Sequence, residues 1–289
     1  MKAVDGDFNG RASQRRSDLL RQTLVLFLRL VVGITVAIPF FWLISTSLKP
    51  EALLFRVPVV WIPRPLHWSN YVDAVNYIPF FRYLMNTLYI AVPATVFTTF
   101  SSSLVAYGFS RIQWPGRNIV FFVLISTMML PFQVTMIPLF VVFRNLGWID
   151  TFLPLVVPTM FGNAFFIFLM RQFFMTLPME LQDAARIDGC SELRIYWQII
   201  LPLARPALAT TALLTFINFW NEFMMPLIYI NSESKFPLAL GLQQFQRQFG
   251  AEWALLMAAS TLMTIPVIVL FFVTQKTFIQ GIALTGMKG

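Results

Sequence analysis

Very little in this sequence can do covalent chemistry. Its 289 residues hold one cysteine, Cys190, and one histidine, His67. A single cysteine permits no disulfide within the chain. One His and one Cys also leave zinc sites and Cys/His nucleophilic pairs without enough parts. No GxxxxGK[ST] sequence occurs, so the chain has no phosphate loop of its own, and any ATP it depends on must bind another chain. Charge is scarce as well: 12% of residues are Asp, Glu, Lys or Arg, against roughly 25% in a soluble domain. There is no low-complexity tract and no repeat of 20–50 residues.

What is present is apolar. Hydrophobic residues make up 57% of the chain, with 31 Phe and 14 Met, and the mean hydropathy is +0.70. A soluble core of this size would be wrapped in far more charge, so the chain reads as an all-α membrane protein. Six spans are predicted, at about Leu24–Ser47, Tyr83–Tyr107, Ile119–Ile137, Leu153–Phe173, Ala207–Leu227 and Leu255–Val273. Each is long enough for a hydrocarbon core of about 30 Å at 1.5 Å per residue. The second is rich in Ser and Thr; the third contains Pro131 and Pro138.

The net charge of +8 is scattered at the ends of these runs, which points to membrane orientation and not to nucleic acid. Segments 2–21, 111–117, 171–205 and 276–288 carry 13 Lys and Arg; segments 49–82, 144 and 235–247 carry 7. The richer set belongs in the cytoplasm, which places both termini there. Residues 1–22 are expected to form a polar cytoplasmic tail and residues 23–289 one transmembrane domain. Within it, a core at about 80–276 contains a cytoplasmic loop, 179–202.

That loop is the one dense island of charge: "ELQDAARIDGCSELRIYWQIILP", Glu180–Pro202. Leu181, Ala184 and Ala185 fall at i, i+3, i+4. Leu193, Tyr196, Trp197 and Ile200 fall at i, i+3, i+4, i+7, an amphipathic stripe. Asp188-Gly189 is a turn signal and Ser191 a fitting N-cap. Two short helices joined by a turn are predicted, with Pro202 marking the return toward the membrane.

The order Asp183-Ala184-Ala185, Gly189, Ile199, Leu201-Pro202 resembles the EAA loop of ABC importer permeases, with Asp for the commoner first Glu. "AYGFSRIQWPGR", "LPFQVTMIPLF", "FLMRQFFMTLP", "NFWNEFMMPL" and the C-terminal "GMKG" extend the resemblance to the carbohydrate branch of that family, from about Lys49 onward. The resemblance implies a type I importer permease in the bacterial or archaeal inner (cytoplasmic) membrane. Its implied partners are a second permease, ATPase subunits that bind ATP and Mg, and an extracytoplasmic binding protein that delivers the solute. This chain would carry no cofactor and would be non-catalytic. Its EAA loop would dock on the ATPase as a coupling helix. On that basis Glu180, Asp183, Ala184, Ala185, Asp188 and Gly189 are expected to face the ATPase. Leu193, Tyr196, Trp197, Ile200 and Pro202 are expected to anchor the loop.

Polar side chains inside spans are costly and face a cavity or a partner. Asn86, Gln133, Asn218, Trp220, Asn221 and Glu222 are the candidates for a solute pathway, with Asn163 beside them, although a lone Asn or Gln more often bonds a neighbouring helix. The run Asn218–Phe223 combines amides, an acid and aromatic rings, which suits sugar hydroxyls and flat C–H faces. The segment Ile230–Glu252, with Gln243, Gln244, Gln246 and Gln248, resembles the loop that related permeases turn toward the binding protein. A secondary transporter would need proton or sodium relay groups in the membrane, and only Glu222 is offered. A glycerophosphate or other non-sugar solute stays open.

Overall fold

The computed structural model describes the backbone of residues 5–247 and 250–286, and the side chains of residues 20–246 and 251–275. Lys2, Gln248 and the final Met287-Lys288-Gly289 therefore lie outside the described residues, as do the side chains of Arg11, Arg15, Arg16, Arg247 and Lys276. The chain divides into two compact units, residues 1–71 with 253–261 and residues 72–252 with 262–289.

In the first unit, α1 runs Asp5–Ser47. The backbone of residues 5–22, expected as a tail, continues this helix. Its apolar stretch Leu20–Ser47 is 28 residues long, about 42 Å at 1.5 Å per residue, ample for one crossing. Most of its large side chains, Leu24 to Phe41, are exposed, as a lipid-facing helix requires. The helix ends where Asn70 takes its last carbonyls: Asn70 Nδ2 donates to Ser47 O at 2.8 Å and to Lys49 O at 2.9 Å. Lys49 Nζ sits 4.3 Å from the centre of the Trp42 ring.

A short helix, α2, is Ser69–Tyr77. The second unit is organised around α3, Phe80–Ser110. Its Ser and Thr content does not break it, because the hydroxyls bond back to carbonyls of the same helix. Thr87 donates to Tyr83 O at 2.9 Å, Ser101 to Phe97 O at 2.6 Å and Ser110 to Ala106 O at 2.7 Å. The third expected span is not one helix. It is α4, Arg117–Ser126, with a 3₁₀ turn at Thr127–Met129, then α5, Phe132–Asn145, and the two halves meet at 97°. Proline pushes the residue before it out of the helical region, and Leu130 is extended at φ −79°, ψ 113°. Pro138 lies inside α5 without ending it.

The fourth span is Leu153–Phe174. It begins as α6, Leu153–Val156, passes through a 3₁₀ segment to Gly162, and continues as α7, Ala164–Phe174. The coupling-loop residues form α8, Glu180–Ile187, α9, Glu192–Ile195, a π turn, Tyr196–Ile200, and α10, Leu201–Leu203. The fifth expected span, Ala207–Leu227, stops early: α11 is Arg205–Trp220, and α12, Met224–Tyr229, begins after a break at Asn221–Phe223. α13, Leu238–Gly241, and a two-stranded antiparallel hairpin, β1 Gln246–Arg247 with β2 Gly250–Ala251, lead to α14, Trp253–Gly286. Among the described residues, four helices are thus long and apolar enough to cross a membrane, and up to six if each bent pair is one span. The fold is a multi-pass helical membrane fold with, among the described residues, one small hairpin.

Among the described residues, two apolar cores hold this unit together. One gathers Tyr107, Met170, Phe174, Ile195, Tyr196 and Ile200 between α3, α7 and the coupling loop. The other gathers Ile90, Phe143, Leu155, Tyr229 and Ile230.

Candidate functional site

The charged loop is built by local rules. α8 turns Gln182 and Ala185 inward, 0% and 6% exposed, and leaves Glu180, Asp183, Ala184 and Ile187 outside. It ends in a Schellman motif: Cys190 N–H donates to Ala185 O at 2.9 Å and Gly189 N–H to Arg186 O at 3.0 Å. Gly189 takes φ +80°, the left-handed conformation glycine adopts freely. Ser191 caps α9, its Oγ accepting from Arg194 N–H at 3.4 Å.

Two residues do not sit where the sequence pattern puts them. Ala185 packs against the core, so only Ala184 of the pair is presented outward. Leu193 is 63% exposed, while Tyr196, Ile200 and the unanticipated Ile195 are fully buried; Trp197, though 54% exposed, stacks on Phe100 of α3 at 5.7 Å and so anchors the loop as expected. A π turn follows Ile195. Leu201 N–H bonds Tyr196 O, five residues back, and the inward residues from there are Tyr196, Ile200 and Ala204. Pro202 follows directly. It has no N–H to close an ordinary turn, and its own ring is exposed.

A polar cluster locks this loop onto α3. Glu192 Oε2 accepts from Tyr107 Oη at 2.5 Å and from Gln182 Nε2 at 3.1 Å; its Oε1 accepts from Arg186 Nε at 2.8 Å. Arg186 also reaches Asp183 at 3.2 Å. Tyr196 Oη lies 2.6 Å from Ser103 Oγ, one turn from Tyr107 on α3. Arg111, 1% exposed, donates to Phe174 O at 2.5 Å and Leu177 O at 2.7 Å, closing the end of α7. None of Tyr107, Gln182, Glu192 or Arg111 stood out as a site residue in the sequence.

At the helix breaks lies a cavity of about 540 Å³, lined by Asn163, Asn218, Asn221 and Glu222 with Thr98 and Thr215, and walled by Phe166 and Phe219. Irregular backbone at membrane depth is tolerated where it lines such a space. Asn163 Oδ1 caps α7 through Phe165 N–H at 3.0 Å, and Glu222 Oε1 caps α12 through Met225 N–H at 3.0 Å. Among the described residues the buried Thr215 hydroxyl has no hydrogen-bond partner.

Residues 98–283 match the family described as the binding-protein-dependent transport system inner membrane component. The chain belongs to this family. It is a permease subunit, the transmembrane part of an importer, and permeases of this kind are non-catalytic subunits that work with an ATPase and a solute-binding protein. It is 34% identical over 272 residues to the arabinooligosaccharides transport system permease protein AraQ of Bacillus subtilis, covering 93% of this chain and 96% of that one. It is 33% identical over 262 residues to the sn-glycerol-3-phosphate transport system permease protein UgpE of Yersinia enterocolitica, with 88% and 93% covered. The crystal structure of a bacterial ABC transporter involved in the import of the acidic polysaccharide alginate superposes with a TM-score of 0.78 at 28% identity, over 91% of this chain and 98% of that one.

Two of the six pathway residues expected in this permease, Asn86 and Trp220, serve its framework instead. Asn86, 8% exposed, donates to Ser234 O and Phe236 O, each at 3.0 Å, and so ties the 230–252 segment to α3. Trp220, 1% exposed, stacks on Phe216 and donates to Met263 O at 3.1 Å. Gln133 is exposed on α5 and is not among the residues that line the cavity. Asn218, Asn221 and Glu222 do line it, and Thr98 and Thr215 were missed because a Thr inside a span carries no charge or motif to mark it.

Proposed function

We propose that this permease forms half of the translocation pathway of an ATP-driven importer for sugars or related solutes. The observation that carries the reading is the α8–Gly189–α9 element: a rigid, exposed, charged helix, locked to α3 and to the apolar core behind it. A coupling element must transmit force, so it needs both a docking face and a firm anchor. Glu180, Asp183, Ala184, Asp188 and Gly189 form the face toward the ATPase, where charge sets register and partner choice. Tyr196, Ile200 and Ile195 form the anchor. Both termini and this element lie in the cytoplasm, by the bias of Lys and Arg, and the protein sits in the cytoplasmic membrane of a bacterium or archaeon. The ATPase subunits bind ATP and Mg, a second permease completes the pathway, and an external binding protein delivers solute toward the 230–252 segment. The solute class follows the relatives, whose named solutes are sugars, a glycerophosphate and an acidic polysaccharide. Amides, hydroxyls and rings along the cavity suit polyhydroxylated molecules.

The test uses the whole transporter in proteoliposomes, with ATP hydrolysis and solute uptake measured together. Gly189→Val places a β-branched residue at φ +80°, a conformation it resists, and is expected to lower uptake by more than about tenfold. Asn218→Trp fills the cavity and is expected to block uptake with the coupling element intact. Wild-type uptake with normal assembly in Gly189→Val overturns the coupling role; wild-type uptake in Asn218→Trp overturns the pathway.

A further inference from the structure

Glu192 stands outside the docking face, yet one carboxylate there joins three elements. It opens α9, accepts from Gln182 and Arg186 on α8, and accepts from Tyr107 on α3. Its two sides differ in surroundings. The Arg186 pair is open to water, each side chain 39% exposed, and such pairs contribute little. The Tyr107 and Gln182 side is buried, at 3% and 0% exposure, where hydrogen bonds to an ionised group are strongest and a missing partner is most costly.

We propose that Glu192 is the positioning residue through which movement of the docking helix reaches α3, with Tyr107 as its contact on that span. This rests on the coupling role proposed above. α8 also reaches α3 directly, Gln182 Nε2 donating to Tyr107 Oη at 3.3 Å, but that bond is long and joins neutral groups, whereas the bond from Tyr107 to the Glu192 carboxylate is short and charge-assisted, at 2.5 Å. A carboxylate hydrogen-bonded from both elements transmits push and pull alike. The Tyr196–Ser103 contact, at 2.6 Å, grips α3 one turn further along. On the same helix, nine residues from Tyr107 and about 14 Å away at 1.5 Å per residue, Thr98 lines the polar cavity. A displacement of α8 is thereby delivered along a continuous helix to the wall of the proposed pathway.

The experiment measures ATP hydrolysed per solute taken up by the complete transporter in proteoliposomes, for Glu192→Gln, Tyr107→Phe, the double variant and Arg186→Gln, with assembly followed by co-purification of the ATPase. Tyr107→Phe removes a single hydroxyl and leaves the Arg186–Glu192 pair in place. The ratio is expected to rise about tenfold in Glu192→Gln and in Tyr107→Phe, and no further in the double variant, because the interaction they share is the Tyr107–carboxylate bond. Arg186→Gln should lose less than either. Tight coupling in Tyr107→Phe, multiplied losses in the double variant, or an Arg186→Gln loss equal to that of Glu192→Gln overturns the proposal. If Glu192→Gln fails to assemble, Tyr107→Phe decides alone. Gly189→Val separates the two levels: tight coupling there removes the docking role itself, whereas loss there with tight coupling in Tyr107→Phe removes only Glu192's part.

Discussion

A buried guanidinium is an unusual thing to keep at the end of a membrane helix, and Arg111 shows what it does there. Its Nη2 donates to both Phe174 O and Leu177 O past the end of α7, and the other prong of its fork, Nη1, contacts Met179 Sδ at 2.7 Å. Arg111→Ala would remove the Arg bonds to both carbonyls in a site nearly closed to water, leaving Phe174 O only its bond from Leu177 N–H, and should cost about 2–4 kcal/mol. Arg111→Lys, a point charge without the fork, should fall between. Thermal melts of the purified protein in detergent check the order, wild type above Lys above Ala; a Lys variant as stable as wild type would remove the fork from the account. In sequence, Arg111 was only one more charge beside a span, because its partners are backbone carbonyls of a distant helix. Gly189 and Ser191 were legible for the opposite reason: a left-handed cap and an N-cap are decided by neighbours in the chain.

Among the elements, the signals that act over a few residues were also legible. Pro131 breaks its span at the residue the sequence flags. The π turn after Ile195 was not legible, since it inserts its extra residue through tertiary packing. The Asp150 clamp was hidden too. Asp150, at φ 60°, accepts through Oδ1 from Asn231 and Ser232 N–H, and through Oδ2 from the Ser232 hydroxyl at 2.6 Å and Lys235 Nζ at 2.9 Å. Hydrogen bonds from the Ser232 hydroxyl and amide, with Lys235, hold its carboxyl well below the ordinary carboxylate range. A depressed folded value stabilises the protein above the unfolded value, near about 4, and that contribution is lost as pH falls through the folded value. Asp150→Asn lacks this ionisation. The melting-temperature gap between wild type and Asp150→Asn should therefore be full at about pH 6 and shrink steadily below about pH 4. A gap that is constant over that range would show that the clamp does not depend on charge.

For the whole molecule the open quantity is the number of crossings, and it can be counted chemically. The third span bends by 97°. Its halves of 13 and 14 residues are about 20 and 21 Å long, so they reach about 27 Å from end to end at that angle, close to the roughly 30 Å of a hydrocarbon core. A crossing is thus geometrically available, and so is a return to the starting side. Cys190 is the only thiol in the chain and is partly exposed, so it reports its own side when treated with a membrane-impermeant maleimide. In a Cys190→Ser background, Arg21→Cys reports the side of the first span's start, and Asn231→Cys the side of the segment after α12. Six crossings with cytoplasmic termini require residues 21 and 190 to react only after the cells are permeabilised, and residue 231 to react in intact cells. If the third span returns without crossing, residue 190 changes sides relative to residue 21. If the fifth does so, residues 190 and 231 share a side. Labelling of Cys190 in intact cells would place the α8 element outside, beyond the reach of any ATPase, and would end the coupling interpretation whatever the mutants show.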